Sequence, residues 1–498
     1  MFSLFKKKNP HSLPALQLHN TLSGKTEVFE PINGVVKMYN CGPTPYDEQH
    51  IGNLFGQVVF NVLRRSLEAW NYKVKQVTNI TDFGHLQSDA DEGDDKMTLG
   101  LKREGLAMSM ENMRKLAEKY TDIFLHDIED LGVNTKRVIY PRASDYVGDM
   151  IALIKTLEEK SYAYKARDGV YFDTAKFPGY GKLGGISGGT TEARIAANAE
   201  KKNPADFALW KFNDSLGWDS PWGKGFPGWH IECTAMIFAL LGKQIDIHTG
   251  GIEHIPVHHN NELAQAEAAS GKKPFVRYWL HNAHITIEGK KISKSLGNTV
   301  YLHNIVDRGL NPRSLRYWFL TGHYRTPMNF TWDALEGANT ALSRLTRAYL
   351  ELGEKSVSLH SSSPSGRRPF QETDSFASGS DFLSDFYAAI ANDLDTPKAL
   401  ARVWELVKDD SISPAAKKAS LVEADKILGL GFSESAASRH IAVVEQSSLP
   451  EEIQALVNQR EDARQKKDFA KADELRSAIE KAGFEAIDTP EGPTIIKK

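Results

Sequence analysis

GVVKMYNCGPTPYDEQHIGNLFGQVVFNVLRRSLEAWNYKVKQVTNIT, residues 34 to 81, decides the fold. GVVKMY, Gly34 to Tyr39, is a short β-rich run, and CGPTP after it supplies the Gly and Pro that end a strand in a turn. After HIGN, His50 to Asn53, residues Phe55, Val59, Val62 and Leu63 share one stripe at helical spacing, which predicts a helix with a buried face. Tyr72 and Val74 then alternate with Lys73 and Lys75, the period of a half-buried strand. Strand, turn, helix and strand make a β-α-β unit, the building block of a parallel sheet in an α/β protein. Ligands of such sheets sit beyond the carboxyl ends of the strands, at the helix amino termini. A second strand-turn-helix unit follows at KQIDIHTGG, Lys243 to Gly251, with ELAQAEAAS as its helix, so the sheet is expected to resume there. The stretch between mixes helical patterning with the β-like GVYFDT and a Gly/Pro-rich section, and reads as an inserted α/β domain.

A chain of 498 residues is too long for one core, and 41% hydrophobic with 25% charged residues is the composition of a globular enzyme rather than a disordered or fibrous chain. Sixty-one Lys+Arg against 64 Asp+Glu leave a net charge of −3, so a nucleic-acid surface has to be a local patch. Two cysteines exclude a disulfide framework. The amino terminus has no signal-peptide core, and no run reaches the roughly 18–20 apolar residues of a membrane span. A cytoplasmic protein with no membrane partner is expected. The organisation read from the pattern is an amino-terminal extension (1–16), the first half of the sheet domain (17–114), the insertion (115–225) and the second half (226–300). A helical region (301–355), a linker (356–380) in which nine of 25 residues are serine, and two helical modules (381–435 and 451–498) complete it.

Cys41 sits in the turn after the first strand, and Cys233 lies in GWHIEC beside His230. His258 and Glu262 are four residues apart, so on a helix they project from one face. Two thiolates, an imidazole and a carboxylate suit zinc rather than magnesium or calcium, although any one of them taken alone reads equally as an ordinary core residue. HIGN at a turn leading into a helix is either a phosphate site or a simple polar cap. KKISKSLGN gathers Lys290, Lys291 and Lys294, a set fit to stabilise a leaving pyrophosphate or to sit solvated at the surface.

HIGN early and KISKS late resemble the two signatures of class I aminoacyl-tRNA synthetases, and MYNCGPTPYDEQHIGN, GWHIECTAM, HHNNELAQAEAASGKKPFVRYWLHNAHI and KISKSLGN resemble the cysteinyl-tRNA synthetase family in order and approximate spacing. DLDTPKALA and QKKDFAKADELR extend the resemblance to nearly the whole chain after about Leu16. It implies a split Rossmann-like catalytic domain, an inserted domain for the tRNA acceptor end, and carboxyl-terminal helical modules for the anticodon stem and loop. It also implies formation of cysteinyl-adenylate from L-cysteine and ATP, then transfer to the terminal ribose of tRNA(Cys), by an enzyme expected to be a monomer. On the family's positions, Cys41, Cys233, His258 and Glu262 hold one zinc ion per chain, which binds the substrate thiol. His50, Gly52, Asn53, Gly250, Gly251, Lys291 and Lys294 hold ATP with its magnesium ion, His50 and the two lysines acting in catalysis. Gly42, Thr81, Trp229 and His230 line the amino-acid pocket. No separate editing site is expected, because ligation discriminates where size cannot. Asn53, Glu253 and the long acidic segment Asp82 to Lys96 depart from the family's usual pattern. Arg460, Arg464, Lys467 and Lys471 recur at helical spacing and could follow phosphates, with Phe469 and Phe484 as nearby aromatics. The rival reading is a ligase passing cysteine to a small amine such as an amino sugar, whose relatives lack the carboxyl-terminal extension.

Overall fold

The computed structural model describes residues 13–83, 96–185, 201–293, 296–361, 376–432, 434, 449–466, 468–489 and 492–497. Lys294 and Lys467, along with most of the acidic segment and the amino-terminal extension, lie outside the described residues.

Val35–Asn40 forms β1, Ile51–Ala69 the helix α1 and Lys73–Thr78 β2, with β1 and β2 parallel from Val35 opposite Lys73 to Asn40 opposite Thr78. The short β3, Val138–Ile139, pairs parallel with β2. The chain then returns to the other side of β1 with β4, Ile245–Gly251, and β5, Val276–Asn282, both parallel. The sheet order is therefore β5-β4-β1-β2-β3. The direction of winding reverses between β1 and β4, and that is where a doubly wound sheet opens a crevice at its carboxyl edge.

Alternate side chains of β1 feed two cores, as expected of a parallel sheet buried on both faces. Val36 and Met38 pack with Leu54, Phe55, Val58 and Leu63 of α1, whereas Tyr39 joins Ile231 and Cys233 of α2 (Trp229–Leu240) and Leu263 and Ala264 of α3 (Asn260–Ser270). Of the expected α1 stripe, Phe55, Val62 and Leu63 are buried and Val59 is half-buried. The inserted region carries a helix, Val147–Glu159, and a four-stranded antiparallel sheet made by Ala163–Lys165, Gly169–Phe172, Phe207–Phe212 and Gly225–Pro227. β3 lies within the stretch read as inserted (115–225) yet belongs to the main sheet, because a two-residue strand has no period to read.

Helices run on into the serine-rich stretch from both sides, one to Ser361 and one from Phe376. The last module holds two helices, Glu451–Gln465 and Phe469–Lys481, followed by an antiparallel hairpin of Phe484–Thr489 with Gly492–Lys497 that the helical reading of 451–498 missed. TPEGPT was its signal, a Gly/Pro turn between two apolar runs. Arg460, expected on an outward phosphate-tracking face, is instead buried in this module and pairs with Glu461, whereas Lys471 and Phe469 are exposed. Among the described residues no helix is long and apolar enough to cross a membrane.

One buried arginine ties the helical region to the sheet domain. Arg316, in the helix Pro312–Leu320, donates to the Leu428 carbonyl (2.6 Å), the Leu131 carbonyl (3.0 Å) and Asn61 Oδ1 (2.9 Å). Burial, then the nearby Arg65, depresses its pKa. Arg316→Met strands three acceptors at about 1–3 kcal/mol each, more than the relief of like-charge repulsion returns. The expected loss is about 3 kcal/mol or more in denaturant unfolding; a loss below about 1 kcal/mol would contradict this role.

Candidate active site and metal centre

A cavity of about 590 Å³ opens at the carboxyl ends of β1 and β4. Its wall includes Cys41 and Gly42 after β1, His50, Gly52 and Asn53 at the start of α1, and Thr81 beyond β2. Trp229 and Cys233 of α2, Gly250 and Gly251 at the end of β4, His258 and Lys291 complete the set expected to line it. His230 and Glu262 are buried directly behind that wall, and Lys294 lies outside the described residues.

The metal-ligand expectation concerns residues far apart in sequence, and the fold draws them together. The Cys41 amide donates to the Thr249 carbonyl (3.0 Å), which fixes the start of the first turn across β4. Ile255–His259 is a π-helical turn running into α3, and the two histidines at its end both approach Glu262 Oε1, His258 Nε2 at 2.9 Å and His259 Nε2 at 3.9 Å. Cys41 Sγ lies 3.2 Å from His259 Nε2, Cys233 Sγ 3.7 Å from His258 Nε2, and His258 Nε2 2.9 Å from Glu262 Oε1. Donor atoms of Cys41, His258, His259 and Glu262 all fall within 4.8 Å of one another. The tightest group thus contains His259, which sequence reading missed, while Cys233 approaches through its hydrogen bond with Cys41.

Neighbouring imidazoles orient these groups. His258 Nδ1 meets His230 Nδ1 at 2.9 Å, Glu262 Oε2 meets His248 Nε2 at 2.9 Å, and His259 Nδ1 meets His281 Nε2 at 2.7 Å. Such partners set ring orientation and basicity in metal sites. Burial opposes ionisation of Glu262, but His248 and His258 hold its carboxyl down at about 2. Burial opposes protonation of His258, but Glu262 lifts it to about 10. Burial raises the Cys41 thiol, yet Cys233 and His259 bring it well below the ordinary thiol range. Its hydrogen bond to Cys41, then burial, pushes the Cys233 thiol up. Cys41 is thereby biased toward the thiolate and Glu262 toward the carboxylate, the forms in which both would bind a divalent ion. The donor set fits zinc: soft sulfur, imidazole and one carboxylate.

Also in the cavity wall, His50 caps α1, its Nδ1 accepting from the amides of Gly52 (3.1 Å) and Asn53 (3.4 Å). Those amides are thereby engaged, and the neutral ring carries its proton on Nε2. Gly42 and Gly250 are sterically required: a Cβ would lie 1.7 Å from the Asn79 carbonyl oxygen at the first and 2.7 Å from the His259 ring at the second. Lys96 was also missed. It lines the cavity with its ammonium 5.8 Å from the centre of the Trp229 ring, and its only sequence cue was its place at the end of an acidic run.

Residues 28–340 match the family of class I (C) tRNA synthetase catalytic domains, and residues 446–488 match the cysteinyl-tRNA ligase anticodon binding domain. Over 485 residues the chain is 42% identical to cysteine–tRNA ligase 1 of Burkholderia lata, covering 96% of each. The chain belongs to the cysteine–tRNA ligase family. It is an aminoacyl-tRNA ligase. A further cysteine–tRNA ligase, from Thermus thermophilus, is 40% identical over 490 residues, with 96% of this chain and 98% of that protein covered. The structure of Mycobacterium tuberculosis methionyl-tRNA synthetase in complex with methionyl-adenylate superposes with a TM-score of 0.56 at 14% identity, over 84% of this chain and 95% of that one. At that identity the likeness speaks for the class I fold of this cysteine–tRNA ligase and for nothing finer.

Proposed function

We propose that this cysteine–tRNA ligase, acting as a monomer, joins L-cysteine and ATP into cysteinyl-adenylate, passes the cysteinyl group to the terminal ribose of tRNA(Cys), and selects cysteine through one zinc ion. The convergence of Cys41, Cys233 and His258 at the wall of the cavity, with Glu262 against His258 behind it, supports this reading. Bound by those four residues, with His259 close among them, zinc would supply a soft Lewis acid that retains a thiolate and holds a serine hydroxyl poorly.

The remaining roles belong to side chains. His230 and His248 hold His258 and Glu262 in their orientations. Trp229, Thr81, Gly42 and His230 shape the space for the amino acid. Gly250 and Gly251 let adenosine approach the backbone, while Gly52 and Asn53 form the turn under the phosphates. His50, through Nε2, and Lys291 and Lys294 neutralise charge on the triphosphate, whose oxygens hold magnesium. The attacking carboxylate is already ionised at neutral pH, so positioning and electrostatics suffice without a general base.

The test is ATP–pyrophosphate exchange with cysteine and with serine, beside charging of tRNA(Cys). Exchange with cysteine should exceed that with serine by at least about a thousandfold, beyond what a size-measuring pocket achieves. Comparable exchange with serine would sink the selection mechanism. Cysteinylation of an amino sugar in place of tRNA would favour the small-amine reading, against which the match at residues 446–488 already weighs.

A further inference from the structure

Glu232, in the first turn of α2, lies outside the cluster of candidate metal ligands and is fully buried. Its Oε2 accepts a hydrogen bond from the hydroxyl of Thr81 at 2.9 Å. The same hydroxyl oxygen accepts from Asn79 Nδ2 at 3.2 Å, while Asn79 Oδ1 accepts the Gly42 amide at 2.9 Å and the Thr81 amide donates to the Pro43 carbonyl at 3.1 Å. Thr81, Asn79, Gly42 and Pro43 all line the cavity beside Cys41, with Glu232 behind them.

A hydroxyl has one proton and two lone pairs. A carboxylate can only accept, so Glu232 takes the proton, and Asn79 takes one lone pair. The capacity left on Thr81, in the wall of the cavity, is a single acceptor backed by a buried negative charge. Such an oxygen repels anions and receives an N–H from a cation more strongly than from a neutral donor. Of the groups cysteine and ATP bring to this cavity, the thiol, carboxylate and phosphates carry no positive charge. Only the α-ammonium does.

We propose that Glu232 is a positioning residue that locks the Thr81 hydroxyl as an acceptor for the α-ammonium of cysteine. The amino acid is then recognised at both ends, its sulfur on one side and its nitrogen on the other. This rests on the reading of the cavity as a cysteine site. Glu232→Gln puts an amide beside the hydroxyl, which can then turn its proton toward the cavity and lose its fixed polarity.

The experiment measures equilibrium binding to the full-length, zinc-loaded protein of three probes: L-cysteine, cysteamine, which keeps thiol and ammonium, and 3-mercaptopropionate, which keeps thiol and carboxylate. In Glu232→Gln the first two should weaken about tenfold or more, the scale of a hydrogen bond to a charged group. 3-Mercaptopropionate should change by less than about twofold, and zinc content should not change. Thr81→Val should reproduce the selective loss, Thr81→Ser should retain native selectivity, and the double variant Glu232→Gln/Thr81→Val should be no worse than either single change, since one residue acts through the other. Parallel weakening of all three probes, an unaltered affinity for cysteine, or additive losses would each overturn the proposal. Should the unaltered protein bind none of the probes, the cysteine reading itself fails and takes the proposal with it.

Discussion

Cysteine-dependent ATP–pyrophosphate exchange should fall at least about a thousandfold when Cys233 is replaced by serine, with the zinc content falling in step. Removing a partner that only orients a ligand already costs about 10–100-fold in metal affinity or activity, and losing a ligand should cost more. The substitution replaces a soft donor with a hard one of nearly the same volume in a core that includes Ile231, Ala235 and Met236. Unfolding stability should therefore change by no more than about 2 kcal/mol. His259→Gln sharpens the test, because His259 and not Cys233 belongs to the tightest donor group. If Cys233 is the ligand and His259 an orienting neighbour, as its contact with His281 suggests, His259→Gln loses only about 10–100-fold. The opposite ranking would transfer the ligand role to His259.

Replacing His50 should have the next greatest effect, and it separates two functions of one side chain. Nδ1 caps α1 by accepting from Gly52 and Asn53, whereas Nε2 carries the proton that the proposed role directs to a phosphate oxygen. His50→Ala removes both, with an expected loss of about 1 kcal/mol of stability for the cap and about 10²–10³ in the turnover of exchange for the donor. His50→Asn restores a capping oxygen without the imidazole's reach, so stability should return while turnover stays low. The KM for cysteine should hardly move in either variant, since the role proposed for His50 is toward the phosphates. Recovery of turnover together with stability in His50→Asn would reduce His50 to a structural cap.

Much of this was legible in the sequence because it is local. Val36 and Met38 alternate as a buried strand must, and Phe55, Val62 and Leu63 fall on one helical stripe. His258 and Glu262 declared a shared face by spacing alone, and they are ion-paired on it. What escaped notice depends on neighbours that a linear pattern does not display. His248 and His281 are lone histidines in separate strands whose meaning comes from register, β4 against β5, which sets them around His259. Nothing in GWHIEC singles out Glu232, whose partner Thr81 comes from beyond the end of β2, 151 residues earlier in the chain. Arg460, placed outward by spacing, is drawn inward by the terminal module.

Zinc X-ray absorption on the purified, active enzyme, recorded alone, with cysteine and with serine, addresses selection by ligation at its root. The account predicts one zinc per chain with two sulfur neighbours at about 2.3 Å, a third sulfur when cysteine is added, and no change with serine. A fully active enzyme without zinc, or a sulfur count indifferent to cysteine, would contradict it.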